Sequence, residues 1–136
     1  MRLPLFLAAA LLTAACATPP EQKLTEAQIA ALQTTWVGKK WDGTWGDPCT
    51  GSIEVFEVVK TTATVEYSFG ICRKDGKPGS TIVKDARVGP NSLFVPLRGT
   101  VQASYTLKAD GSLDGVYRTS PTSREYNGKF FLVTDE

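Results

Sequence analysis

Alternation with a period of two is the feature that most limits what this chain can become. Ala63, Val65, Tyr67 and Phe69 alternate with Thr62, Thr64, Glu66 and Ser68, and residues two apart share one face of a β-strand. Val101, Ala103, Tyr105 and Leu107 repeat the pattern against Gln102, Ser104, Thr106 and Lys108. Asp110-Gly111 then offers the positive φ that a tight hairpin demands, and Leu113, Gly115 and Tyr117 continue on the return strand. Further strands are expected over Ser52–Val59, Thr81–Val88, Ser92–Leu97 and Lys129–Val133. Turn residues at Lys60-Thr61, Asp75–Gly79, Gly89-Pro90-Asn91 and Asn127-Gly128 separate them. About eight short strands, with turns every roughly 8–12 residues, specify an all-β sandwich or barrel. Short connections favour an antiparallel meander, and closing the meander removes its exposed edges. The expected fold is a small antiparallel up-and-down barrel of about eight strands.

A short N-terminal helix precedes the strands. Thr25-Glu26-Ala27-Gln28 matches a capping box, in which the Thr25 side chain accepts from the backbone and Gln28 reaches back. Leu24, Ile29 and Leu32 fall near one helical stripe, so a helix from about Thr25 to Gln33 is expected to lie across one end of the domain.

The first residues read as an address. Met1-Arg2 is followed by an apolar run from Leu3 to Leu12 and by the small residues Thr13-Ala14-Ala15 before Cys16. That is the order of a secretory signal, and the run falls short of the roughly 20 apolar residues that span a bilayer. Leu12-Thr13-Ala14-Ala15-Cys16 resembles the lipobox of bacterial lipoproteins, with Thr13 where Leu is commonest. The resemblance implies cleavage before Cys16, a diacylglycerol on its sulfur and acylation of the new amino group. It divides the chain into a signal peptide at 1–15, a lipidated tether at 16–23 containing Pro19-Pro20, and a domain at 24–136. The membrane is thus an expected partner through the lipid. Ala17 follows Cys16 where retention signals usually place Asp, which points to the outer membrane of a two-membrane envelope.

With Cys16 assigned to lipid, Cys49 and Cys72 remain as an even pair in an exported chain, and a disulfide is the simplest reading. It would close a loop of about 23 residues and stabilise the fold by roughly 3 kcal/mol in the chain-entropy model. A redox-active pair would call for a Cys-x-x-Cys spacing, which these residues lack.

Gly43-Thr44-Trp45, soon after the expected helix, resembles the opening strand of calycins, the superfamily of lipocalins and avidins. There the tryptophan packs across one end of the barrel and the glycine allows a tight backbone approach. The resemblance implies a ligand cavity or a loop-borne binding face. Lipocalins also pack a closing arginine on that tryptophan, a role Arg124 could fill. Small, lipid-anchored, disulfide-stapled envelope barrels include bacterial lysozyme inhibitors, a similarity of format.

Several chemistries are excluded. The chain has no histidine, which removes the usual Ser-His-Asp and Cys-His catalysis and the commonest zinc sites. Gly43-Thr44-Trp45-Gly46 lacks the Lys-Ser/Thr of a P-loop, and Asp110–Asp114 carries only fragments of a calcium loop. A carboxylate pair for glycoside cleavage would have to share a face. Glu54 and Glu57 have opposite parity and could do so only across a bulge, and Glu66 sits on a polar face. Lys and Arg total 15 against 14 Asp and Glu, with no basic patch interleaved with aromatics, so nucleic acid is not an expected partner. No enzymatic activity, metal or cofactor is expected.

What remains is aromatic. Trp36, Trp41 and Trp45 crowd around Gly43, and alternation turns Tyr67, Phe69, Tyr105 and Tyr117 inward. Core packing accounts for Trp45, Phe69 and Tyr105, whereas Trp41, among Lys39, Lys40 and Asp42, suits a rim position as well as a core one. The expected function is a lipid-anchored envelope protein that holds a small apolar or amphipathic ligand in, or at the mouth of, the barrel. Trp41, Trp45, Tyr67, Tyr105 and Tyr117 would form the walls, and Arg118 and Arg124 would flank a loop at the mouth. A second reading is an interaction protein, such as an inhibitor of an envelope or host hydrolase, with a packed barrel and a loop at Arg73–Thr81 or Thr119–Arg124 entering the partner. A third is a structural envelope component.

Overall fold

The computed structural model describes residues 23–46, 49–71 and 76–134. One helix, α1 (Glu26–Trp36), precedes eight strands: β1 (Lys40–Thr44), β2 (Thr50–Val59), β3 (Thr62–Phe69), β4 (Gly79–Val88), β5 (Ser92–Pro96), β6 (Gln102–Leu107), β7 (Leu113–Arg118) and β8 (Tyr126–Leu132). Each strand pairs with its sequence neighbours, and β8 returns to β1 through Trp41↔Leu132 to Thr44↔Lys129, closing an antiparallel up-and-down barrel. The expected fold class is therefore the observed one. Cys16, the tether up to residue 22 and Cys72 lie outside the described residues.

Alternation drives the closure, because every strand has one apolar face to hide. Ile53, Val55, Val65, Leu93, Val95, Ala103, Leu113 and Phe130 point inward and are buried. Two bulges coil the longer strands around this core. Phe56 is an extra residue on β2 between the Val55↔Val65 and Glu57↔Thr64 pairs. On β4, Lys84 and Asp85 oppose the single Thr64 between Val65↔Val83 and Ala63↔Ala86. The first bulge turns Glu54 and Glu57 to the same outer face, where Glu54 also pairs with Glu66. These carboxylates stand outside the barrel.

The helix forms on the capping box read from the sequence: Gln28 N donates to Thr25 Oγ1 at 3.1 Å, and Thr25 N donates to Gln28 Oε1 at 2.9 Å. It runs about one turn beyond the expected Gln33, because Leu32 and Trp36 both bury against the barrel end. Gln33 Nε2 donates to Val58 O at 2.5 Å, and Trp36 Nε1 donates to Gly89 O, in the β4–β5 turn, at 2.8 Å. Trp41 closes the same end by donating from Nε1 to Gly111 O at 2.8 Å. Two indoles thus satisfy turn carbonyls and pack on each other, with ring centroids 5.6 Å apart.

One turn was misplaced by the sequence reading. Asn127-Gly128 is not a turn but part of β8, paired through Gly115↔Gly128 and Val116↔Asn127. The turn lies earlier, in residues 119–123, where the Ser123 hydroxyl accepts from Thr119 N and Ser120 N at 3.1 Å each. Gly128 is needed for space: a Cβ there would stand 2.9 Å from the Trp45 and Phe130 rings.

Candidate functional site

With α1 over one end of the barrel, the other end is left to the β1–β2, β3–β4, β5–β6 and β7–β8 connections. An open cleft of about 1530 Å³ lies there. Its size follows from an uneven ladder. β3 and β4 pair along their whole length, but β4 and β5 meet only at Arg87↔Phe94 and Val88↔Leu93. Below that point the β4 bulge carries the strand away. On the other side β5 ends at Pro96, which has no N–H to give to a ladder. A slot therefore runs from the mouth along residues 80–85 of β4, faced by Pro96, Leu97 and Val101.

Trp45 sets the floor. The alternation of β1 carries on to the residue after it, so that Trp41, Gly43 and Trp45 all point inward. Gly43 is where the chain passes closest to β8: a Cβ would collide with Lys129 O and stand 2.7 Å from Phe130 Cδ1. The Trp45 ring lies over three glycines, since a Cβ on Gly51, Gly115 or Gly128 would stand 2.8, 2.8 or 2.9 Å from it. Tyr105, Tyr117 and Phe130 surround it, with centroids 5.8, 5.8 and 4.7 Å away. An indole this enclosed is 8 % exposed, and its remaining accessible surface faces the cleft.

The polar atoms of this floor are poorly served. Unlike Trp36 and Trp41, Trp45 leaves its buried Nε1 without a hydrogen-bond partner, and so does Tyr105 with its hydroxyl. Trp45 Nε1 lies beside the Tyr67 hydroxyl, which in turn feels those of Tyr117 and Tyr105. Burial is the main cause that pushes the Tyr67 phenol far above its ordinary value, with Tyr117 adding to it and Trp45 opposing. Burial likewise raises Tyr105, with Tyr67 adding to it. These phenols hold their protons and are available as donors.

The residues singled out from the sequence divide between the two ends. Trp45, Tyr67 and Tyr117 line the cleft, and Tyr105 packs directly behind Trp45. Trp41 does not take the rim position: it is 1 % exposed, hydrogen-bonded and at the opposite end. Arg118 and Arg124 do not line the cleft. Arg118 pairs with Glu125 across the β7–β8 loop, and Arg124 is exposed while Tyr105, Tyr117 and Phe130 occupy the surroundings of Trp45. Cys49 lines the cleft and packs against the core.

Sequence reasoning missed the slot. Its residues Ile82, Lys84, Asp85, Leu97 and Arg98 belong to strand edges and a loop, and the one available signal was Pro96 inside a strand pattern. No group of three His, Cys, Asp or Glu that could hold a metal occurs among the described residues. No protein-family model matches the chain, and no curated protein matches it.

Proposed function

We propose that this chain is a lipid-anchored envelope protein whose barrel holds a small apolar or amphipathic ligand at its open end, acting by binding rather than by catalysis. The observation that carries the reading is the asymmetry of the barrel: one end is plugged by α1, Trp36 and Trp41, while the other is an aromatic-floored cleft. About eight strands enclose an interior that side chains just fill or that holds one small ligand. Here one end is filled and the other is open. The open end favours a ligand site over a packed barrel working through its loops alone.

The calycin resemblance belongs to the same proposal. It is supported by Gly43 at a close backbone approach and Trp45 lying across the interior. The lipid on Cys16, export and outer-membrane placement rest on the lipobox. A Cys49–Cys72 disulfide rests on the even pair of cysteines in an exported chain; among the described residues, Gly70 N donates to Thr50 O at 3.0 Å, which sets residues 50 and 70 side by side.

Native mass spectrometry on protein isolated from its host tests the reading. A discrete added mass that leaves with organic solvent is expected, on a polypeptide lighter by the hydrogens a disulfide removes. A clean unliganded mass, together with failure to bind an apolar fluorescent dye, would overturn it.

A further inference from the structure

What the floor of the cleft lacks is a well-placed acceptor. Trp45 Nε1 can only donate, it is buried, and the one hydroxyl beside it, that of Tyr67, does not meet it in hydrogen-bond geometry. The Tyr105 hydroxyl is equally buried and equally unpartnered, and Tyr67, which lines the cleft, places a third donor beside Trp45. An unsatisfied buried donor costs about 1–3 kcal/mol, and this barrel satisfies the same group elsewhere: Trp36 and Trp41 both reach turn carbonyls. An orphaned donor and a hydroxyl on residues that line an open cleft, with a second orphaned donor packed behind them, are a half-built hydrogen-bonding site.

We infer, building on the ligand-holding reading above, that the cleft takes an uncharged, carbonyl-bearing amphipath. Its carbonyl oxygen sits between Trp45 Nε1 and the Tyr67 hydroxyl, with Tyr105 behind them, and its apolar chain leaves through the slot between β4 and β5. The charge follows from what surrounds the floor. The cations that line the cleft, Lys84 and Arg98, are exposed at its lips, with Asp85 beside them. The desolvation that resists ionisation of Tyr67 and Tyr105 penalises any other anion brought to the same place. No cation-binding carboxylate lines the floor either. The path of the chain follows from the walls: Phe69, Ile82, Val83, Leu97 and Val101 make the slot apolar, and Phe69 and Ile82 are 38 % and 50 % exposed there.

The test is competition against an apolar fluorescent dye bound to the full chain. The competitors are a medium-chain methyl ketone, the n-alkane of the same carbon count and the matching carboxylate. The ketone should compete about five- to tenfold better than the alkane, the worth of one or two net hydrogen bonds, and better than the carboxylate at neutral pH. Trp45→Phe should abolish most of that advantage, read as the ratio of ketone to alkane competition within the variant, whatever the change in overall affinity. Tyr67→Phe, which removes only a hydroxyl beside Trp45, should reduce it independently. Dye and alkane binding with no preference for the ketone, or a preference that survives both substitutions, would overturn the carbonyl seat and leave the ligand-holding reading in place. Failure of the dye and of all three competitors to bind would overturn both.

Discussion

Three inward residues, two on β1 and one just past its end, do three different jobs, and their chemistry explains the division. Trp41 ends in a hydrogen bond to Gly111 O and belongs to the plug; Gly43 makes room for Phe130; Trp45 faces the cleft with its Nε1 unpartnered. The tyrosines around Trp45 make a pH prediction. Tyr67 and Tyr105 have phenols raised above the ordinary value of 10.0, so between that value and their folded values the unfolded chain binds fewer protons than the folded one. Their contribution to stability is complete below pH 10 and is lost as pH climbs past it. Of the four tyrosines, Tyr67 and Tyr105 should appear in a tyrosinate absorbance titration only as the barrel unfolds, and Tyr105→Phe should flatten the alkaline fall in stability. Reversible titration of all four in folded protein would contradict this. The inward set was legible residue by residue on the strands without bulges, such as β6 and β7, because parity decides it there. Which end each aromatic occupied was not, since that depends on strand tilt and on a helix whose landing place no local pattern encodes. Asn127-Gly128 was misread for a related reason: a glycine conserving space for Trp45 looks the same in sequence as one opening a turn.

At the scale of elements, the weak joint is β4–β5. Backbone groups of β4 that face β5 beyond Arg87 have no ladder partner on that side, although β3 pairs along the other. Unpaired amides exchange with solvent through small local openings. In native-state hydrogen exchange, amides of residues 80–85 that point into the slot should exchange much faster than those on the β2–β3 ladder. Uniform protection along both edges of β4 would mean that the slot is closed in solution. Strand existence was readable everywhere, and strand ends fell within a few residues of expectation. Pairing length was not readable, because period-two patterning gives a strand's faces and says nothing about how far its edge is used. The bulges at Phe56 and at Lys84-Asp85 were equally hidden: all three residues are exposed, and nothing in their chemistry marks an extra residue in the ladder.

For the molecule as a whole, the plug and the cleft lie at opposite ends, and the chain comes to the barrel through α1 at the plugged one. On the proposed anchor, Ala17 to Lys23 would span at most roughly 25 Å when fully extended, so the lipid would join the barrel from the side of its plugged end. Cys16→Ala should release the protein from membranes while the barrel keeps its thermal transition; a Cys16→Ala protein that still fractionates with membranes would remove the lipid from this account. The incomplete β4–β5 joint has a mechanical consequence too. A tube slit along part of its wall loses most of its stiffness against twisting and widening, whereas an unbroken one keeps its bore fixed. This barrel is unbroken around α1 and slit at the other end, so its bore is fixed where nothing enters and elastic where a guest would sit. Guests of different girth should be admitted for little extra deformation energy, which makes the group at the floor, and not the width of the bore, the element that discriminates among them.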